Sequence, residues 1–258
     1  LNDNSPELQT IVHRVNRCVT ILRVLVHQID IMETMTPMDF LDFRDMLRPA
    51  SGFQSWQFKE LEAKLGLKFE HRHGQAYYTA QLKPQHVDLI KQAETSKSVL
   101  QLVNTWLERM PFFGDAQVWT GFDNEISVEG WHPLWTRYRQ LYHQSLASAE
   151  KENQQAFDLV FADKTEASAD RQLSPAASRA ALFIMLYRGY PVLQLPFQLL
   201  NGLLEIDEQL SSWRYRHMNM VHRMIGTRIG TGGSTGKDYL RAADRKSTRL
   251  NSSHITIS

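Results

Sequence analysis

Two segments of the chain place apolar residues at alternating intervals of three and four, the spacing of one face of an α-helix. The first set comprises Ile11, Val15, Cys18, Leu22, Leu25, Ile29 and Met32. The second comprises Leu203, Ile206, Leu210, Trp213, His217, Met220 and Met224. Each set predicts a long amphipathic helix whose apolar face is buried. Cys18 is then expected to act as a small buried hydrophobe rather than as a reactive thiol.

Helix boundary signals recur through the rest of the chain. Thr36 can cap a helix that starts at Pro37, with Asp39 at the capping-box position. Further helices are predicted over 55–67, 96–110, 133–161, from Ser174-Pro175 onwards, and from Pro196 for roughly 24 residues. Residues 111–130 resemble a long loop, and only 76–82 could form a strand. The prediction is an all-α, single-domain helical bundle over residues 1–243.

Composition excludes several classes of protein. A chain of 258 residues can bury a core without covalent cross-links. Its longest apolar run, residues 180–187, is far shorter than the roughly 20 residues of a membrane span. One cysteine excludes an internal disulfide and a cysteine-based zinc site. A net charge of +1 with interspersed signs gives no case for nucleic-acid binding. These features fit a cytoplasmic protein.

Residues 244–258 differ from everything before them. They have no helical period, and their sequence resembles the in-frame translation of a sequencing adapter. We therefore expect a non-native tail and exclude it from the fold prediction. An ordinary polar tail is the alternative.

His217 is the most informative single residue, because it lies at the centre of an apolar helical stripe. It could be a core histidine that needs only a hydrogen-bond partner, or an axial ligand to a metal or haem iron. His222 lies about 140° further around the helix and cannot be a second ligand on the same face.

Two further segments could bind a polar ligand. The glycine-rich segment 226–236 departs from a phosphate-binding loop, because Thr231 and Asp238 stand where that motif needs Gly and Ser or Thr. It could be a flexible connector, or a loop that offers backbone N–H groups and hydroxyls. Arg44 lies one helical turn after Phe40 and could bind a carboxylate beside an aromatic wall, or be an ordinary surface arginine.

Together these segments resemble the tryptophan 2,3-dioxygenase family. The substrate-pocket segment is matched by residues 33–44 (ETMTPMDFLDFR) and 49–55 (PASGFQS). The haem-helix and loop segments are matched by residues 213–217 (WRYRH), 223–226 (RMIG) and 230–236 (GTGGSTG). Residues 196–200 and 207–208 also fit, and the resemblance spans most of residues 7–240.

The resemblance implies a role for each matching residue. His217 would be the proximal ligand of haem b, and Arg44 would hold the carboxylate of L-tryptophan. Thr231 would bind its ammonium and carboxylate groups, Phe40 would contact the indole, and Ser51 and Gly52 would line the pocket. The implied reaction of ferrous haem and O₂ cleaves the indole C2–C3 bond to give N-formylkynurenine, the first step of the kynurenine route. A cytoplasmic homotetramer is also implied.

The sequence departs from the family at its distal histidine. Residues 25–28 (LVHQ) mimic the distal segment but lie only nine residues before Pro37, so we assign His27 no distal role. We expect a chain truncated at both ends. The alternative function is a haem-binding or helical interaction fragment without dioxygenase activity, because the distal segment is absent.

Overall fold

The computed structural model describes residues 6–47, 55–67, 82–109, 133–162, 173–226 and 228, and these contain helices but no strand. The all-α prediction is therefore confirmed. The α-helices, numbered in chain order, are α1 (Pro6–Met32), α2 (Pro37–Arg44), α3 (Trp56–Leu65), α4 (Pro84–Thr95), α5 (Val99–Glu108), α6 (Pro133–Ser145), α7 (Asn153–Phe161), α8 (Pro175–Leu186) and α9 (Pro191–Ile225). No helix in these ranges is long and apolar enough to cross a membrane.

The described residues fall into two compact units. One comprises residues 1–8 and 103–197, and the other comprises residues 9–102 and 198–258. The proposed single domain over 1–243 and the non-native tail stay predictions. The tail, residues 76–81 of the strand candidate 76–82 and the loop 111–130 lie outside the described residues.

The unit that contains residues 103–197 is built on α6, α7 and α8. Tyr142, Phe157 and Phe161 form a chain of packed rings with centroids 4.7 and 4.6 Å apart. Arg139 of α6 donates two hydrogen bonds of 2.6 Å to Asp158 of α7, which fixes the orientation of the two helices. The core is completed by alanines and large apolar residues of α8.

The predicted helix over 133–161 is wrong in one respect, because it is interrupted between Ser145 and Asn153. Ala147 is extended, and its N–H donates to Glu150 Oε2 at 2.9 Å, at the start of a short 3-10 turn. Ser145 Oγ donates to the carbonyl of Tyr142 at 2.7 Å. These local hydrogen bonds compete with the helical ladder and end α6.

In the other unit, α1 and the later part of α9 run parallel. Val15 lies against Gly202, Arg23 pairs with Glu205, Asp30 with Arg216, and Glu33 with Arg223, so both helices advance together. The buried cluster between them is formed by Val19, Leu22, Ile206 and Leu210, with Phe58 and Leu65 of α3 packed against it.

The predicted α1 exists, but its apolar face is turned by roughly 60° from the prediction. The buried residues are Val12, Val19, Leu22 and Ile29, whereas Ile11, Leu25 and Met32 are exposed. Cys18 is exposed, so its predicted burial is wrong. The reason is that apolar residues cover a wide arc of α1, and the arc rich in valine faces α9. There the small Gly202 permits a close approach.

Candidate functional site

The histidine predicted as a haem ligand lies on α9, facing the same side as Trp213, Met220 and Met224. The rings of Trp213 and His217 are stacked, with centroids 4.9 Å apart and planes inclined by 4°. The ring of Phe58 in α3 packs against Trp213, with centroids 5.3 Å apart. Arg214 Nη2 donates to Oε1 of Glu62 in α3 at 2.6 Å. The turn of α9 before His217 is therefore fixed by α3.

His217 has the chemical state that a haem ligand needs. Burial lowers the pKa of its imidazole, which keeps the ring neutral and its lone pair available at neutral pH. None of the described residues forms a hydrogen bond with this ring. His222 is exposed, as expected for a residue on another face.

The described residues contain no cluster of three or more His, Cys, Asp or Glu side chains that could hold a metal ion. A haem iron needs only one axial protein ligand, whereas a closed zinc site needs four. The half-buried neutral imidazole with an aromatic neighbour therefore fits the haem that the sequence predicts.

The second part of the candidate site is α2. Its capping box is as predicted: Asp39 N–H donates to Thr36 Oγ1 at 3.2 Å, and Thr36 N–H donates to Asp39 Oδ2 at 2.8 Å. Phe40 and Phe43 meet edge to face at 5.4 Å. Arg44, at the end of the helix, is only 9% exposed, so it is not an ordinary surface arginine. Arg44 already takes part in a hydrogen bond, ion pair, ring contact or electrostatic interaction, as a buried guanidinium requires.

The start of the glycine-rich loop is defined by Gly226. This residue has a φ of +59° and its N–H donates to the carbonyl of His222 at 2.9 Å, so it ends α9 in the left-handed conformation that glycine favours. Thr231, Ser51 and Gly52 lie outside the described residues, and their proposed roles stay predictions.

His27 lies on the surface of α1. Its side chain is 71% exposed and its Nδ1 lies 2.9 Å from Asp30 Oδ2. That His27 has no distal role stays a prediction.

Charged residues that were not predicted from the sequence join the end of α1 to the turns of α9 around His217. Arg216 donates to Asp30 and also to Glu33 Oε2 at 3.1 Å, and Arg223 donates to Glu33 Oε1. The spacing of seven between the arginines places them on one face of α9, and the spacing of three does the same for the acids on α1. The spacing of these charged residues can be read from the sequence, but the pairing of α1 with α9 cannot.

Known proteins match nearly the whole chain. A family model described as tryptophan 2,3-dioxygenase matches residues 2–251. A tryptophan 2,3-dioxygenase of Alteromonas mediterranea is 41% identical over 255 residues, which cover 91% of this chain and 68% of that protein. The enzymes of Xenopus tropicalis and Mus musculus are each 39% identical over 248 residues, covering 90% of this chain and 60% of theirs. The chain thus spans about three fifths to two thirds of these relatives.

Proposed function

Because the chain belongs to the tryptophan 2,3-dioxygenase family, we propose that it inserts both atoms of O₂ across the indole C2–C3 bond of L-tryptophan. The product is N-formylkynurenine, and the reaction opens the kynurenine route of tryptophan catabolism. The observation that supports this proposal best is the neutral, half-buried imidazole of His217, stacked on Trp213 in a family that uses haem.

His217 would hold haem b through its imidazole nitrogen. Trp213, Met220 and Met224 share its side of α9 and would shield that face of the porphyrin from water. When bound, ferrous haem would supply the oxygen chemistry with O₂ as co-substrate, and the protein would supply position and charge.

The substrate would be held by residues of two segments. Arg44 would bind the carboxylate of L-tryptophan through two parallel N–H donors. Phe40 would pack against the indole ring, but it lacks the hydroxyl that a tyrosine would offer there. Thr231 would bind the ammonium and carboxylate groups, and Ser51 and Gly52 would line the pocket. Holding the indole in one orientation is the largest contribution that these side chains would make to the rate.

We also propose self-association as a homotetramer and a cytoplasmic location. Membership of the family supports both proposals. Light scattering after gel filtration would give the mass of the assembly directly.

The reaction is tested by isotope incorporation. The protein, reconstituted with haem b and reduced, is incubated with L-tryptophan under ¹⁸O₂, and the product is examined by mass spectrometry. We expect N-formylkynurenine that carries two labelled oxygens. A product with one label, or none, would contradict dioxygenation. Haem binding without any product would favour the alternative of an inactive haem-binding fragment.

A further inference from the structure

Glu33 joins the end of α1 to α9 through both of its carboxylate oxygens. Oε2 accepts from Arg216 at 3.1 Å, and Oε1 accepts from Arg223. The Glu33 side chain is 21% exposed, so it is more shielded from water than Asp30, at 46%. A carboxylate that accepts from two guanidinium groups at once is restricted in position and in rotation.

The two arginines stand on either side of His217 along α9. Arg216 precedes it directly, and Arg223 follows it by six residues. Being seven residues apart, Arg216 and Arg223 share one face of the helix, about 100° away from His217. Glu33 therefore contacts the same two turns of α9 that carry the candidate haem ligand.

On its other side, Glu33 is tied to α2 by a short, hydrogen-bonded segment. The N–H groups of Glu33, Thr34 and Met35 donate to the last carbonyls of α1 at 2.8, 3.2 and 3.2 Å. Thr36 then starts the capping box of α2. Only three residues separate Glu33 from Pro37, the first residue of the helix that carries Phe40 and Arg44. A displacement of Glu33 would therefore be transmitted to α2.

A second ion pair between the same helices gives a control. Glu205 of α9 pairs with Arg23 of α1, and its side chain is 26% exposed, close to the exposure of Glu33. Glu205 lies three turns from His217, and Arg23 lies ten residues before Glu33. Loss of this pair would remove a similar ionic contact between α1 and α9 without touching α2.

We propose that Glu33 is a positioning residue that couples the tryptophan-carboxylate helix α2 to the haem-bearing turns of α9. Ion pairs of this exposure contribute little to stability, so their main effect is on geometry. The role assigned to Glu33 rests on the proposed function of Arg44 and His217. The physical coupling between Arg223 and α2 does not depend on the proposed function.

The test compares Glu33→Gln, Arg223→Gln, the double variant and the matched control Glu205→Gln. Amide hydrogen exchange of residues 37–44 is measured on the haem-free chain, together with the melting temperature. The KM values for L-tryptophan and for tryptamine, which lacks the carboxylate, are measured on the haem-loaded protein. Arg223 is the decisive position, because it lies on α9 and outside α2.

We expect Glu33→Gln and Arg223→Gln each to speed exchange in α2 and to raise the KM for L-tryptophan about fivefold, the lower end of measured couplings between sites. The KM for tryptamine and kcat should change less than twofold. The double variant should match Glu33→Gln, because the contact with Arg223 is already lost in that single variant. Glu205→Gln should change neither the amide exchange of α2 nor the KM for L-tryptophan.

Additive effects, an equal effect of Glu205→Gln, or unchanged exchange in α2 would each overturn the proposal. A fall in melting temperature of ten degrees or more in both single variants would assign Glu33 a purely structural role and overturn it too. If the parent protein shows neither haem binding nor turnover, the proposed function fails while the exchange measurement still decides the coupling.

Discussion

Arg44 is the residue whose burial says most about the substrate. Arg44 is 9% exposed and ends the short helix that carries Phe40 and Phe43, and a buried guanidinium is suited to a planar anion. Truncating one partner of a buried, hydrogen-bonded charge pair costs about 2–5 kcal/mol. Arg44→Ala should therefore raise the KM for L-tryptophan by at least about 30-fold.

Tryptamine and a lysine variant separate recognition from folding. Tryptamine lacks the carboxylate, so Arg44→Ala should affect its KM little. Arg44→Lys keeps the charge but loses the paired N–H donors. Its KM for L-tryptophan should therefore lie between those of the parent and of Arg44→Ala. If steady-state kinetics showed equal losses for L-tryptophan and tryptamine, Arg44 would be a structural residue.

Asp207 makes the stability of the protein depend on pH. Burial raises the pKa of its carboxyl group to about 6, against the opposing effect of Arg214 and with a small contribution from Glu208. The folded state therefore binds the proton more tightly than the unfolded state does. Between about pH 4 and 6, stability should fall as pH rises.

Asp207→Asn removes this dependence. At pH 7 the variant should be more stable than the parent by on the order of 1 kcal/mol, because the buried charge is gone. The advantage should shrink as pH falls through 6 and vanish near pH 4. Urea unfolding at pH 4, 5, 6 and 7 measures it. Parallel curves for the two proteins would show that Asp207 titrates alike in both states.

At the scale of elements, the contact of α1 with α9 depends on Gly202. A Cβ at this position would lie 2.5 Å from Val15 Cγ1, which is too close for any real contact. Val15 is β-branched and stiff, so the helices would have to separate. Gly202→Ala should destabilise the protein by about 1–3 kcal/mol, even though alanine favours the helix.

Two variants control the Gly202 experiment. At Gly189 an added Cβ meets nothing within 4 Å, so Gly189→Ala should change the free energy of unfolding by less than about 1 kcal/mol. Val15→Ala should relieve part of the cost of Gly202→Ala, since it removes the clashing atom. Chemical denaturation of the parent, the three single variants and the double variant Val15→Ala/Gly202→Ala decides this. Additive losses in the double variant would mean that Val15 and residue 202 do not meet.

Most of the described helices were predictable, but α4 (Pro84–Thr95) was not, and the faces and ends of the others were less predictable. The Thr36 capping box and the Ser174 cap use local chemistry, and both form as expected. The orientation of α1 depends on Gly202, about 190 residues away, which no local pattern reveals. α9 starts at Pro191 instead of the predicted Pro196, so Pro196 lies inside the helix, where it cannot donate an intrahelical hydrogen bond.

In the candidate site, too, some residues could be found from local sequence and others only from the fold. His217 and Arg44 stood out because a polar residue in an apolar stripe and an arginine beside aromatic residues are unusual within a single segment. Glu33 did not, since its significance comes from Arg216 and Arg223 on a distant helix. Residues that contact a ligand can be found from local pattern and resemblance, whereas residues that hold segments together need the fold.

At the scale of the whole molecule, residues 244–258 should contribute nothing to the helical body. They lack an apolar period and caps, so their deletion should change the free energy of unfolding by a few tenths of a kcal/mol at most. Thermal unfolding of the chain with and without these residues checks this. A melting temperature lowered by several degrees on deletion would mean that the segment is native.

The central claim is that His217 is the axial ligand of a haem, and the absorption spectrum tests it directly. The parent chain and the variants His217→Ala and His222→Ala are titrated with haem b, and the Soret band is recorded. His222 is a matched control, because it lies on the same helix but is exposed. We expect a ligated Soret band in the parent and in His222→Ala, and its loss in His217→Ala. Equal spectra for the two variants would show that His217 is not the haem ligand.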